Sequence, residues 1–227
     1  MSNLTNKNIL LCVTGGIAAY KAAELVRLLK TSNAFVKVLM TKSAQEFITP
    51  LTMQALSGEK VHTDVLSTEA EAAMGHIELA KWCDLIVVAP CSANSLSKIA
   101  EGRGDDLLSA VCLATESEIF IAPAMNQAMW KDKRSEKILS KSIKAGLNII
   151  GPASGEQACG DVGDGRMTEA ADIVLQSSIP VTVIGWDPSY LDGTLDREKV
   201  KEIDEIDKVG YVNSYDEFLL LGQSLNP

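Results

Sequence analysis

Asn8-Ile-Leu-Leu-Cys-Val-Thr-Gly-Gly16 is an almost unbroken apolar run that ends in one hydroxyl side chain and two glycines. A strand covered on both faces of a parallel sheet has this continuous apolar character, whereas a strand with one solvated face alternates. Four more short apolar runs follow, at residues 35–40, 84–89, 119–122 and 147–150. Helical patterns separate them, including residues 17–29 and the stretch from Ser43 to about Leu56. Alternating strands and helices predict right-handed βαβ units, and hence an α/β fold with a doubly wound parallel sheet in three αβα layers.

Composition sets the broad class of this 227-residue chain. Its hydrophobic content of 46% is ample for a core, and with 5% aromatics the packing falls mainly to aliphatic side chains. No apolar run approaches the ~18 residues that a membrane span requires, and residues 1–7 lack the basic character of a signal peptide. The net charge of −9, with no basic stripe, argues against a nucleic-acid partner. We therefore expect a cytoplasmic protein that binds neither membranes nor nucleic acid.

The five cysteines show no spacing that suits a metal. Because the sequence has no Cys-x-x-Cys pair, zinc and iron–sulfur sites are not expected. Cys12, Cys83 and Cys112 lie in apolar surroundings and are predicted to be core residues. Cys91 and Cys159 are predicted to lie in loops, where a thiol needs a separate explanation.

The composition changes near Pro180, which predicts a domain boundary there. Residues 1–180 form the predicted main domain, and residues 181–227 form an acidic C-terminal appendage without a motif that indicates a role. Within the appendage we expect a short strand at residues 181–184 and some helix near residues 215–221.

The first three strands lead into loops rich in glycine and hydroxyl groups. In Thr14-Gly-Gly-Ile-Ala-Ala-Tyr-Lys21 the glycines allow the backbone close to a ligand, and the helix start offers free N–H groups to an anion. The motif is not Gly-x-Gly-x-x-Gly, and Thr41-Lys-Ser43 after the second strand lacks the acidic residue that holds a dinucleotide ribose, so NAD is disfavoured. The polar residues of Pro90-Cys-Ser-Ala-Asn-Ser95 are either helix caps or ligands. With the first loop they predict a mononucleotide phosphate site.

Pro123-Ala-Met-Asn-Gln-Ala-Met-Trp130 departs from the pattern of the preceding strand, because it carries a proline and an asparagine and no charge. Asn is a poor strand residue, but its amide provides an acceptor oxygen and two donor hydrogens without net charge. Open α/β sheets bind ligands at the carboxyl ends of their strands, so Asn126 is predicted to hold a substrate carboxylate. For Met125, Met129 and Trp130 we expect an irregular loop that packs them into the core.

Two histidines and one glycine-rich segment complete the candidates. His62 lies in a polar connection, where no role is expected. His76 follows a glycine at the start of a predicted helix and is either a surface cap or a general base near neutral pH. Residues 155–167 contain four glycines around a single cysteine and a single arginine, which favours a mobile loop or lid over a disordered linker. In this segment Cys159 can supply a proton while its thiol is neutral.

Five motifs together resemble the flavin-containing cysteine decarboxylases, a family of Rossmann-like flavoproteins. They are Gly15-Gly-Ile-Ala-Ala-Tyr-Lys21, Gly75-His-Ile-Glu-Leu79, Ala89-Pro-Cys-Ser-Ala-Asn94, Pro123-Ala-Met-Asn-Gln-Ala-Met-Trp130 and Ala158-Cys-Gly-Asp-Val-Gly-Asp-Gly-Arg-Met167. The resemblance runs in order from about Lys7 to Val174, and the last two motifs are highly specific in combination.

The resemblance implies FMN, bound between the subunits of a homotrimer or a multiple of trimers. Residues expected around the flavin are Thr14, Gly15, Gly16, Thr41, Ser43, Ser92, Ala93, Asn94, Ser95 and Ala124. His76 is implied as the catalytic base, Asn126 as the contact to the substrate carboxylate and Cys159 as the proton donor. Residues expected beside the substrate are Glu156, Gln157, Ala158, Arg166 and Met167.

The resemblance also implies a reaction, the decarboxylation of 4′-phosphopantothenoylcysteine to 4′-phosphopantetheine in coenzyme A biosynthesis. Oxidation of the thiol-bearing carbon to a thioaldehyde provides an electron sink, so CO2 can leave. The resulting ene-thiolate then regains a proton and a hydride. No net electron transfer occurs, which agrees with the absence of an NAD motif.

Three other functions are compatible with the same predicted fold. They are a decarboxylase of peptide C-terminal cysteines, a non-catalytic flavin-binding regulatory subunit and a flavin prenyltransferase. The combined presence of His76, Asn126 and Cys159 argues against the last two, and Ala158-Cys-Gly-Asp161 against the first. In many bacteria the domain is fused to a phosphopantothenate–cysteine ligase. The roughly fifty residues after Ile179 are too few for such a domain. That step is expected on another chain, unless this sequence is part of a longer one.

Overall fold

A computed structural model describes residues 4–64 and 75–178. Its centre is a five-stranded sheet with the strand order β2-β1-β3-β4-β5, in which all neighbouring strands are parallel. The strands are β1 (Asn8–Val13), β2 (Phe35–Met40), β3 (Leu85–Cys91), β4 (Glu118–Pro123) and β5 (Asn148–Ile149). The predicted parallel sheet is confirmed. The predicted boundary at Pro180 and the elements predicted in the appendage lie outside the described residues.

Helices cover both faces of the sheet, which completes the predicted three layers. They are α1 (Lys21–Thr31), α2 (Pro50–Ser57), α3 (Gly75–Trp82), α4 (Ala93–Glu101), α5 (Leu107–Ala114), α6 (Gln127–Trp130), α7 (Lys133–Lys144) and α8 (Ala170–Ser177). Helix α1 packs against α2 and α8, whereas α3 and α4 pack against α5, and α4 also packs against α7. Within residues 4–64 and 75–178, no helix has both the length and the hydropathy needed to cross a bilayer.

Two predicted helices differ from the expectation, one at its start and the other by an interruption. The first opens as a 3-10 turn at Ile17–Tyr20 before α1, and the second is interrupted between a 3-10 turn at Ala44–Glu46 and α2. The interruption occurs at Thr49, whose side chain caps α2 by accepting the N–H of Thr52. Pro50 follows at the first helical position, where its missing N–H costs nothing but where it cannot continue a preceding helix.

Four of the five cysteines lie in the apolar core or pack against it. Cys12 and Cys83 are buried as predicted, and Cys112 packs partly buried against the same apolar cluster. Cys91 is a correction, because it is the last residue of β3 and is fully buried rather than in a loop. Burial raises the pKa of Cys12 and Cys91, and it raises that of Cys112 to about 12. These thiols are therefore neutral and unreactive near pH 7.

The connection that holds His62 extends the sheet beyond β2. His62 forms a parallel bridge with Leu39, its N–H donates to the Val38 oxygen at 2.9 Å, and its oxygen accepts the N–H of Met40 at 2.8 Å. The polar connection of the sequence thus pairs with what would otherwise be an open sheet edge.

His62 should make the stability of the fold depend on pH. Partial burial, and then the charges of Lys37 and Lys60, lower the pKa of His62 from its usual 6.5. The unfolded chain then binds a proton at His62 more readily than the folded chain, so the free energy of unfolding falls as the pH drops below about 6.5. Urea unfolding between about pH 5 and pH 8 should show a smaller fall for His62→Gln than for the wild type. Equal falls would contradict the assignment.

Candidate active site

In the strand order β2-β1-β3-β4-β5, the connections after β1 and β3 leave the sheet in opposite directions. Open α/β sheets bind ligands outside the carboxyl ends of their strands at such a point. Thr14, which is fully buried, joins the two loops that begin there. Its hydroxyl donates to the Pro90 oxygen at 2.8 Å and accepts the N–H of Ser92 at 2.9 Å. The convergence of these loops, predicted from the sequence, is confirmed. With its hydroxyl already bonded on both sides, a direct contact of Thr14 with a cofactor stays a prediction.

The loop after β2 joins the same group. A Cβ on Gly15 would approach Cβ of Ser43 to less than 3.0 Å, so the two loops touch at a position where only glycine fits. The Thr41 N–H donates to the Val13 oxygen at 3.0 Å, and the Thr41 hydroxyl accepts the N–H of Ala44 at 3.3 Å. All three predicted cofactor loops therefore meet at one edge of the sheet.

Gly15→Ala should destabilise the fold, because the added methyl group must push the loop of Ser43 away. Overpacking of this kind costs about 1–3 kcal/mol, which corresponds to a melting temperature lower by roughly 2–12 °C. Thermal unfolding of Gly15→Ala and Gly16→Ala provides the comparison, since a Cβ on Gly16 would meet nothing within 4 Å. Equal melting temperatures for the two variants would contradict the close contact.

Free N–H groups at this edge suit an anion. Ser92 caps α4, because its hydroxyl oxygen accepts the N–H of Ser95 at 3.3 Å and its hydroxyl donates to that of Ser95 at 3.2 Å. Within the described part of the chain, no acceptor is found for the N–H groups of Gly15, Gly16, Ala93 and Asn94. Such groups at a helix start, together with the helix dipole, bind phosphate. The chemistry of this donor set fits the phosphate of a mononucleotide, and Ser92 serves as a cap there as well.

The segment after β4 forms one helical turn rather than the expected irregular loop. Asn126 caps α6, with its side-chain oxygen accepting the N–H of Ala128 at 2.8 Å. Met125 packs against the core cluster as expected, and Trp130 is half-buried. The prediction for Met129 is wrong, since its side chain is 48% exposed. Helix α6 has only four residues and none of its side chains is buried, so this turn leaves Met129 on the solvent side.

Residues 155–167 are also a correction, because they form most of an antiparallel hairpin rather than an irregular loop, whereas a role as a lid stays a prediction. The strands of the hairpin are β6 (Ala153–Glu156) and β7 (Val162–Arg166). At the tip, the Gln157 N–H donates to the Asp161 oxygen at 2.7 Å and the Gly160 N–H donates to the Gln157 oxygen at 2.9 Å. Gly160 has a φ of +86°, which a side chain would oppose.

Hydrogen bonds join the hairpin to the segment that contains Asn126. The Met125 N–H donates to the Gly165 oxygen at 2.9 Å, and a Cβ on Gly165, at φ +140°, would collide with the Met125 oxygen. The Gln157 side chain accepts the N–H of Gln127 at 3.0 Å and donates to the Met125 oxygen at 3.5 Å. Gln157 thus braces the two segments, and its predicted contact with a substrate stays a prediction.

This arrangement brings Asn126 and Cys159 together. Nδ2 of Asn126 lies 3.3 Å from Sγ of Cys159, although the two residues are 33 positions apart. Asp161, which the sequence interpretation did not select, joins them. Its Oδ2 accepts from Nδ2 of Asn126 at 2.7 Å and from Sγ of Cys159 at 3.4 Å. The hydrogen bond from Asn126, and then that from Cys159, lowers the pKa of Asp161, so its carboxylate is ionised at neutral pH.

The other predicted substrate residues lie along the hairpin. Glu156 and Ala158 are exposed near its tip. At its base, Arg166 pairs with Glu169 at 3.5 Å, and Glu169 also pairs with Lys21 at 2.6 Å. Met167 is 1% exposed, and its oxygen accepts from Lys21 at 3.3 Å. Contacts of these residues with a substrate stay predictions.

His76 lies apart from this group in its hydrogen bonding. It is half-buried in the first turn of α3, directly after residues 65–74, which are outside the description. Only Cys83 and Asp84 separate α3 from β3, so the helix runs back along the strand and its His76 end lies toward the ligand-binding edge. Within the described residues, no hydrogen bond joins His76 to Asn126 or Cys159. Its role as a base stays a prediction.

Comparison with known sequences gives one family. A family profile described as Flavoprotein matches residues 1–178. The chain is 52% identical over 174 residues to the Coenzyme A biosynthesis bifunctional protein CoaBC of Vibrio parahaemolyticus, over 77% of this chain and 44% of that protein. The chain therefore spans less than half the length of this curated relative.

Solved structures give the same fold. A cysteine-to-serine variant of PPC decarboxylase, complexed with pantothenoylaminoethenethiol, aligns with a TM-score of 0.66 and 34% identity, over 75% of this chain and 96% of that one. The FMN binding protein AtHal3 aligns with a TM-score of 0.63 and 33% identity, over 75% of this chain and 94% of that one.

Proposed function

This chain belongs to the Flavoprotein family, and from that premise we propose that it decarboxylates 4′-phosphopantothenoylcysteine to 4′-phosphopantetheine with FMN as cofactor, a step of coenzyme A biosynthesis. The observation that carries the proposal is the pairing of the Asn126 amide with the Cys159 thiol at 3.3 Å. One group suits a carboxylate and the other a proton transfer. Two of the three chemical roles implied by the sequence thus belong to one small region.

The cofactor fits the sheet edge at β1 and β3. Gly15, Gly16, Ala93 and Asn94 would hold its phosphate through their N–H groups, and Ser43 lies beside Gly15. When bound, FMN supplies a two-electron oxidation of the thiol-bearing carbon and later returns those electrons, so the C=S bond accepts the electrons released with CO2.

The chain's own residues orient the substrate and move protons. Asn126 orients the substrate carboxylate through its side-chain amide, and a neutral amide stabilises that carboxylate less in the ground state than a cation would. His76 takes the proton of the substrate thiol. Cys159 gives a proton to the carbon that loses CO2, with its S–H bond breaking as the new C–H bond forms. The hairpin keeps this thiol beside Asn126.

The proposed assembly is a homotrimer or a multiple of trimers. Large apolar side chains are exposed near both halves of the site, with Ile17 and Tyr20 each 62% exposed and Val162 69% exposed. Within residues 4–64 and 75–178 of one chain, His76 forms no hydrogen bond to Asn126 or Cys159, which supports a site completed by a second subunit. The proposal does not extend to the second activity of the bifunctional relatives.

The test is CO2 release from 4′-phosphopantothenoylcysteine by the purified FMN-loaded protein without added reductant. Release with equal formation of 4′-phosphopantetheine supports the proposal. The serine analogue of the substrate is the control, because without a thiol it cannot form a thioaldehyde. If CO2 is released only from peptides that end in cysteine, the substrate is wrong. If neither compound reacts while FMN stays bound, the enzymatic proposal fails.

A further inference from the structure

We infer that Asp161 is a positioning residue whose carboxylate competes with the carboxylate of the substrate for the amide of Asn126, and that it retains the Cys159 thiol when the substrate prevails. The inference rests on the proposed function and adds to it a role for Asp161, a residue of the fifth motif to which the resemblance assigns none. It concerns the order in which hydrogen bonds form at the Asn126 amide.

The hydrogen-bonding capacity of Asn126 carries the first step. An amide side chain has two N–H donors and one oxygen acceptor. The oxygen accepts from Ala128 at 2.8 Å, and the nitrogen donates to Asp161 at 2.7 Å and to Cys159 at 3.3 Å. Both donors are therefore in use within the chain. A substrate carboxylate can bind this amide only by replacing one of the two acceptors.

The chemistry of the two acceptors decides which one is replaced. Asp161 offers a carboxylate, the same group that the substrate brings, whereas a thiol sulfur is a weak acceptor. Two carboxylates on one amide nitrogen would repel each other, whereas a carboxylate and a neutral thiol would not. The substrate carboxylate therefore replaces Asp161 rather than the thiol, and the charge-assisted bond is preserved. Asp161 is exposed, so water can solvate its side chain once the amide has turned to the substrate.

One main-chain and one side-chain hydrogen bond hold Asp161 near Cys159 during this exchange. The Asp161 oxygen accepts the Gln157 N–H at 2.7 Å, which closes the hairpin tip, and its carboxylate accepts from the Cys159 sulfur at 3.4 Å. A carboxylate beside a thiol opposes the negative charge of a thiolate. Asp161 thus holds the thiol by its S–H, the bond from which the proton is donated.

Other charged groups of the region do not make these contacts. Within the described residues, the side chains of Glu156 and Asp164 form no hydrogen bond to Asn126 or Cys159, and Arg166 pairs with Glu169. Lys131, from the end of α6, donates to the Gln127 side chain at 3.2 Å. Asp161 is therefore the specific candidate, and Asp164 on the same hairpin provides a matched control.

The first experiment compares Asp161→Asn and Asp164→Asn in the FMN-loaded protein, with two ligands that do not react. One is 4′-phosphopantothenoylserine, which has the carboxylate, and the other is 4′-phosphopantetheine, which lacks it. Asp161→Asn should tighten binding of the serine compound roughly threefold to tenfold, because a neutral competitor holds Asn126 less strongly. Binding of 4′-phosphopantetheine should change less than about twofold. Asp164→Asn should leave the binding of both ligands close to that of the wild type.

A weaker binding of the serine compound by Asp161→Asn would overturn the inference, since Asp161 would then support the amide for the substrate. Equal tightening for both ligands would overturn it as well, because the effect would be one of overall charge.

A second readout needs no substrate and separates this inference from the proposed function. Iodoacetamide is neutral, so its reaction with Cys159 at fixed pH reports the thiol alone. Asp161→Asn should speed the alkylation of Cys159 severalfold relative to the wild type and Asp164→Asn, as located by mass spectrometry. An unchanged rate overturns the Asp161–Cys159 contact. If the wild type binds neither ligand, the proposed function fails while the alkylation result still stands.

Discussion

Replacement of Cys159 by serine is expected to let CO2 leave and to stop the reaction before 4′-phosphopantetheine forms. A hydroxyl gives up a proton far less readily than a thiol, so the carbon that has lost CO2 is not protonated at a useful rate. Loss of a positioned acid of this kind lowers the rate roughly a hundredfold or more. The exposed position of Cys159 at the hairpin tip implies that serine fits without disturbing the fold.

Mass spectrometry of the products checks this expectation, because the trapped ene-thiol is lighter than 4′-phosphopantetheine by two hydrogens. Cys112→Ser is the control, since Cys112 lies in the core cluster and away from the hairpin. Normal formation of 4′-phosphopantetheine by Cys159→Ser would remove Cys159 from the mechanism. Absence of CO2 release from a stable, FMN-loaded variant would place its role before decarboxylation.

Replacement of His76 by asparagine should remove turnover and leave the yellow flavin bound. A neutral imidazole accepts a proton near neutral pH, whereas an amide does not, and loss of a general base lowers rates by roughly 10²- to 10⁴-fold. Asparagine preserves part of the ring's size and polarity at the start of α3. The predicted cofactor loops lie after β1, β2 and β3, so FMN binding should not depend on this side chain.

Turnover and the absorbance spectrum of FMN check this second expectation together. The chain offers a matched control in His62→Asn, because His62 is its only other histidine and is held to β2 by main-chain hydrogen bonds. An active His76→Asn variant would refute the base assignment. A variant that has lost its flavin would show that His76 supports the cofactor site instead.

Most of the sheet could be predicted because its apolar runs have sharp polar limits. The predicted limits of β1 and β2 agree with the structure, whereas β3 continues through Pro90 to Cys91. Proline and cysteine gave no strand signal there. The hairpin was missed for a related reason. Strand β7 reads Val-Gly-Asp-Gly-Arg, and glycine-rich sequence lacks the alternation and the branched side chains that identify a strand.

The candidate site shows where sequence reasoning ends. The residue types of Asn126 and Cys159 indicated their chemistry, but nothing in the sequence placed them 3.3 Å apart. That distance depends on the bond between Met125 and Gly165 and on the brace of Gln157, which are contacts between distant parts of the chain. Asp161 could not be predicted, because an acidic residue in a glycine-rich segment usually has no specific partner.

The hydrogen bonds of Thr14 have a consequence for the entropy of cofactor binding. One hydroxyl joins Pro90 and Ser92, so the distance between the loops after β1 and β3 is fixed by contacts inside the chain. A ligand that enters between such preformed loops need not order them, and little conformational entropy is lost on association. The conformational entropy of these loops is lost when the protein folds. We therefore expect Thr14 to contribute to cofactor affinity through the order it imposes on its neighbours.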